Sequence, residues 1–120
     1  MDDLIGFGWL YALNARAAIG RGKRWQAEHW ISGLRDEALA IACLRLGEPP
    51  AHARGVDRLP NEVVAAYEQA LVRSLDPDEL RRALALTIDL FLSEVAEAKP
   101  ELARRLRAPL LDERLGHVDT

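Results

Sequence analysis

At 120 residues the chain is long enough for one domain with a real core, and its 49% apolar and 29% charged residues are those of a folded globular protein rather than a disordered one. A net charge of −3 argues against nucleic acid or an anionic membrane as the partner, because general binders of either carry a basic surface. A cationic ligand suits this balance better.

In chain order, residues 3 to 21 read as a first helix, with Leu10, Leu13 and Ala17 on one face and Phe7, Tyr11, Ala15 and Ala18 beside them. Gly20 and Gly22 mark its end. A long second helix spans 23 to 46 and is closed by Gly47 and the Pro49-Pro50 pair. Residues 47 to 58 form the one substantial loop. A third helix starts at Pro60 and carries Val63, Val64, Tyr67, Ala70 and Leu71 at helical spacing to about Leu75.

Asp76-Pro77-Asp78-Glu79 opens a fourth helix with an acidic cap, a first-turn proline and a glutamate at the third position. Its stripe is Leu80, Leu84, Ile88, Phe91 and Val95, with Arg81, Arg82, Asp89 and Glu94 off it, and it runs to about Ala98. Pro100 opens a shorter fifth helix through Leu106 that Pro109 interrupts. No segment alternates with a strand's period of two. The expectation is an all-α fold, an antiparallel bundle of four main helices plus a short C-terminal helix, forming one domain over residues 1–115 with a flexible tail at 116–120.

Asp2 and Asp3 stand where a secretory signal would carry positive charge, and no apolar run reaches membrane-spanning length, so no membrane role and a cytoplasmic location are expected. The single cysteine, Cys43, lies in the apolar run Leu39-Ala40-Ile41-Ala42-Cys43-Leu44 and reads as a buried, inert thiol. The Asp76-x-Asp78 pair has the spacing of a divalent-metal site, but the helix cap accounts for both acids. No P-loop, glycine-rich dinucleotide turn or metal-ligand spacing occurs, so no cofactor and no metal are assigned to this chain.

The second helix carries the chemistry. At about 100° per residue, Trp25, Glu28, Ser32 and Arg35 share a stripe with Leu39, Cys43 and Leu46, so one face passes from apolar to charged along its length. Such a face runs from a core to the lip of a cleft. Glu28 is costly to bury alone, and Ser32 and Arg35 are the helix-face neighbours that can satisfy it. It is therefore either half of a structural ion pair or a cleft carboxylate that binds a cation or acts as a general base. Trp30 falls with the core-facing Leu34 and Ile41, whereas Trp25 falls with Glu28 and is free to line a pocket. Tyr11, Asn14 and Arg16 are further cleft candidates on the first helix. Arg24 and His29 match the Arg-x4-6-His pattern of the HEPN family of helical ribonucleases and nucleotide-binding modules, in which arginine stabilises phosphate charge while histidine moves a proton. Arg45 and His52 match it too. A plain protein-interaction bundle is the third reading.

One resemblance spans residues 6 to 98. The runs Gly8-Trp9-Leu10-Tyr11-Ala12-Leu13-Asn14-Ala15-Arg16, Arg24-Trp25-Gln26-Ala27-Glu28, Trp30-Ile31-Ser32-Gly33-Leu34-Arg35-Asp36 and Gly55-Val56-Asp57-Arg58-Leu59-Pro60 resemble the C-terminal helical region of bacterial nucleotidyltransferase-domain proteins, which are similar to the aminoglycoside nucleotidyltransferases. The resemblance implies a helical substrate-binding or accessory domain that lines the acceptor side of a cleft and is not catalytic alone. Mg and NTP would be held by a separate catalytic domain or subunit, the implied partner, and the acceptor would be a small cation. By the resemblance Glu28 is the acceptor-facing carboxylate, with Trp25, Arg35 and Asp36 as its neighbours. Without that partner domain, exposed apolar surface would favour a homodimer.

Overall fold

Residues 1–111 are described by a computed structural model of the chain, and the expectations for residues 112–120, the 116–120 tail among them, lie outside the described residues. Helix α1 (Asp2–Gly20) begins with two acids in its first turn, where negative charge complements the helix dipole. Its buried face is Ile5, Gly8, Ala12, Ala15 and Ala18, so it presents mostly small residues to its neighbours. It ends in a Schellman motif: Gly22 takes the left-handed conformation at φ +72°, while the N–H groups of Gly22 and Lys23 donate to the carbonyls of Ile19 and Ala18 at 3.1 and 2.9 Å. The turn is short enough that α2 (Arg24–Arg45) packs back along α1 in the most extensive helix pair of the fold. The end of α2 repeats the motif, with Gly47 at φ +78° and the Glu48 N–H donating to the Cys43 carbonyl at 2.8 Å.

The stripe of α2 that enters the core is Ala27, Ile31, Leu34, Ala38 and Ile41. Trp25 and Leu46, placed by the sequence on an apolar-to-charged stripe, are exposed at either end of the helix, and Trp30 is half-buried rather than core. Two single turns of 3-10 helix, Ala51–Ala53 and Val56–Arg58, follow in the loop, and Leu59 with Val56 packs on Ala42 and Cys43 in a small separate cluster. Helix α4 (Pro77–Ala98) supplies Leu80, Ala83, Leu84, Thr87, Ile88, Phe91, Leu92 and Val95 to the core and contacts both α1 and α2. The ring of Phe91, fully buried, lies over Gly8 of α1. A Cβ on Gly8 would sit 2.3 Å from the Phe91 ring, so only glycine lets α1 and α4 come this close.

The all-helical expectation is met with five helices, and no strand occurs among the described residues. Two of the expected helix bounds differ. Helix α3 is the nine-residue Asn61–Gln69 and does not reach residue 75. Arg82 stops it by donating to the carbonyls of Gln69 and Leu71, both at 2.8 Å, while Val72 and Leu75 pack against the core from a non-helical connector. Helix α5 (Pro100–Leu111) continues through Pro109 instead of breaking there. Pro109 removes one N–H from the helix, and Arg16 donates to the carbonyls of Pro109 and Leu110 at 2.8 and 3.0 Å. Arg16 is thus engaged with the end of α5. Glu94, off the apolar stripe, is buried: its carboxylate takes a two-pronged grip from Arg45 at 2.9 and 3.0 Å, joining α4 to the end of α2.

At the start of α4 the cap forms as read, with the Asp78 N–H donating to Asp76 Oδ1 at 2.9 Å. Glu79 does not close the box. It accepts instead from the Arg73 N–H at 2.9 Å and from Arg82 Nε and Nη2, both at 2.7 Å. Those bonds, Arg82 first and then Arg73, hold its carboxyl down to about 2. No helix among the described residues is long and apolar enough to cross a membrane.

Replacing Gly8 by alanine should cost about 2 kcal/mol by overpacking, read as a lower urea midpoint, and Phe91→Leu in the same chain should recover part of that loss. Because the folded pKa of Glu79 lies below its ordinary 4.5, its contribution is complete above that pH and is lost as pH falls toward about 2. Urea midpoints of the wild type and Glu79→Gln should therefore differ above pH 4.5 and converge toward pH 2.

Candidate functional site

The N-terminal half of α2 carries most of the candidate residues. Glu28 is half-buried and accepts a 2.5 Å hydrogen bond from the Ser32 hydroxyl one turn on. The expected second partner is engaged elsewhere, since Arg35 pairs with its neighbour Asp36 at 3.2 Å. No cation pairs with Glu28 among the described residues, which leaves a carboxylate oriented by a hydroxyl with its charge unanswered. Trp25, one turn before, exposes 74% of its surface. An indole that open is a contact surface and not a core anchor.

Tyr11 of α1 is half-buried between the helices. Its ring stacks with Phe7 at 6.3 Å and tilts against Trp30 at 5.4 Å between centroids. Gly33 makes room for it, since a Cβ there would come within 3.1 Å of the ring. Asn14, one turn further along α1, is half-buried, and Phe7 and Leu10 are exposed on the same helix. Arg24 and His29 are both exposed, His29 with its ring edge-on to Trp30 at 4.9 Å. Five positions apart, they leave α2 about 140° from each other and do not share a face. Arg45, the other arginine of that pattern, is bound to Glu94 and is not free to pair with His52.

A hollow of about 380 Å³ lies elsewhere, between the start of α1, the middle of α2 and the loop. Its lining is Leu4 of α1, Asp36, Glu37, Leu39 and Ala40 of α2, and Pro50, His52, Ala53 and Val56 of the loop. Of the candidate residues read from the sequence, Asp36 and His52 reach it. Trp25 and Glu28, expected to flank a pocket, are not part of this one. Glu37 was not foreseen, yet its helix-face neighbours Gly33, Leu34, Ala40 and Ile41 are all apolar, and an acid on such a face is a legible signal. Its Oε2 is buried without a hydrogen-bond partner. Burial chiefly, and the charge of Asp36 second, push its carboxyl above the usual range.

The loop wall is held in an unusual conformation. His52 and Ala53 take φ of +56° and +59°, a left-handed pair with no glycine in it. Gly55 fixes their return: its N–H donates to the Pro49 carbonyl at 2.9 Å, and a Cβ there would meet Glu48 Cβ and the Pro49 carbonyl at 2.6 Å. Behind the wall, burial raises the Cys43 thiol, with Glu48 and Glu94 adding to the shift, so it is held protonated and inert. No group of three or more His, Cys, Asp or Glu able to hold a metal occurs among the described residues.

Comparison with known proteins found no matching family, no matching curated relative and no matching solved structure. Ala53→Gly should relieve the left-handed strain by more than the added chain entropy costs, stabilising the fold by about 0.5 kcal/mol and raising the melting temperature by about 2 °C. Thermal unfolding followed by circular dichroism checks it.

Proposed function

We propose that the chain is a helical substrate-binding or accessory domain that works in the cytoplasm with a nucleotidyltransferase catalytic domain or subunit, presenting Glu28 to a small cationic acceptor. The observation that carries this reading is the state of Glu28: half-buried, aimed by the Ser32 hydroxyl at 2.5 Å, and without a counter-cation. A carboxylate kept only for stability is normally answered by a cation, as Glu94 is by Arg45 and Glu79 by Arg82. An ammonium of the acceptor supplies the missing charge, and the exposed Trp25 indole one turn away offers a π face to the same group. Nucleotide and Mg belong to the catalytic partner; within this chain Glu28 binds the acceptor and is placed to take a proton from it.

The exposed Phe7, Leu10 and Trp25 side chains favour a domain that is covered by something else in its working state. The catalytic domain is the occupant that fits the sequence resemblance, and self-association into a homodimer is the outcome expected when that domain is missing.

The test is a titration of the purified chain with kanamycin, a compact polycationic aminoglycoside, read by Trp fluorescence at low salt. Binding should quench the indole signal, Trp25→Phe should remove most of the response, and Glu28→Gln should weaken affinity about five-fold, the worth of a partly exposed charge pair. Equal affinity for the wild type and Glu28→Gln overturns the reading.

A further inference from the structure

We infer that the hollow between α1, α2 and the 50–56 loop is a second binding site, separate from Glu28, for a small amphipathic monocation with one ammonium head on a compact apolar body. The two sites are distinct by helix geometry. Nine positions separate Glu28 from Glu37, which places them on opposite sides of α2 and about 13 Å apart along it.

The lining sets the ligand class. Leu4, Leu39, Ala40, Pro50, Ala53 and Val56 give the hollow an apolar interior. At about 380 Å³ it falls at the low end of the volumes that hold small organic molecules. Its carboxylates, Asp36 and Glu37, turn anions away. They are not equivalent: Arg35 lies 3.2 Å from Asp36 and already answers that charge, while Glu37 has a buried oxygen that nothing among the described residues answers. One unit of negative charge is therefore left over, enough for a single ammonium and not for a polycation. A residue kept only for packing would be neutral here, because a half-buried, unpaired carboxylate lowers stability. A cation bound beside Glu37 favours its charged form and so offsets the burial and the Asp36 charge that raise its carboxyl. His52 of the strained loop belongs to the same lining.

The experiment is a ¹H–¹⁵N NMR titration of the full chain at pH 7 with 2-phenylethylamine, run beside two matched probes, the neutral 3-phenylpropanol and the anionic 3-phenylpropionate. The amine should shift amides of residues 36–40 and 50–56 with saturable binding, the alcohol should bind at least ten-fold more weakly, and the carboxylate should leave the spectrum unchanged. Glu37→Gln should weaken the amine ten-fold or more while keeping or raising the melting temperature, since a neutral amide replaces a poorly solvated charge. Ala40→Leu, which fills the hollow without touching its charge, should also abolish the shifts, and Glu28→Gln should not affect them. Equal binding of amine and alcohol, unchanged affinity in Glu37→Gln, or shifts confined to other residues overturns the inference.

Discussion

The close approach of Phe91 to Gly8 governs how this molecule is put together. A ring that is fully buried over a residue with no side chain brings α4 against α1 at a distance no other residue at position 8 permits. The alanines of α1 extend the same economy of volume toward α2, whose Ala27 and Ala38 are also fully buried. Close packing of three helices through small residues leaves little slack for a shift in register, because interiors tolerate a missing or added methyl poorly. The second glycine of this kind, Gly33, seats the Tyr11 ring and locks α1 to α2 near Trp30. Leu4 is thereby set beside the middle of α2, where it forms one wall of the hollow.

Charge is distributed on this frame in two ways. Acids at helix junctions are answered: Glu94 by Arg45 across α4 and α2, Glu79 by Arg82 and the Arg73 backbone where α3 gives way to α4, Asp2 by Lys99 between the start of α1 and the end of α4. These contacts decide where helices stop and how they join. Glu28 and Glu37 are treated differently, one held by a hydroxyl alone and the other with an orphaned oxygen. Both lie on α2, away from the junctions, and both are half-buried. Half-burial without a cation sets these two carboxylates apart from the acids that brace the junctions.

Much of the fold was legible because helices announce themselves by local means. The stripe Leu80, Leu84, Ile88, Phe91, Val95, the Asp76-Pro77 opening and the closing glycines at 22 and 47 each act within one or two turns, and each appears in the structure where spacing placed it. The errors share a cause. Helix α3 ends early because Arg82, 13 residues away in sequence, takes the Gln69 carbonyl, and α5 runs on past Pro109 with Arg16, 93 residues away, bonded to the Pro109 carbonyl. Glu94 lies off the apolar stripe and is nevertheless buried, because Arg45, 49 residues away, answers its charge. The candidate site divides in the same way: the Glu28–Ser32 bond is a one-turn contact readable from spacing, while the meeting of Leu4, Glu37 and His52 is not.

The amino-acid order alone determined that the chain is helical, where its long helices begin and end, that Cys43 is buried and that Glu28 needs Ser32, because all of these follow from periodicity, capping and neighbours within a turn. Tertiary structure decided which arginine answers which acid, which glycines are packing contacts rather than turns, and that the hollow opens at Asp36 and Glu37 instead of beside Trp25. Those outcomes depend on which helix faces meet, and the meeting of faces is set by the volumes of residues far apart in the chain, a quantity that no local window contains.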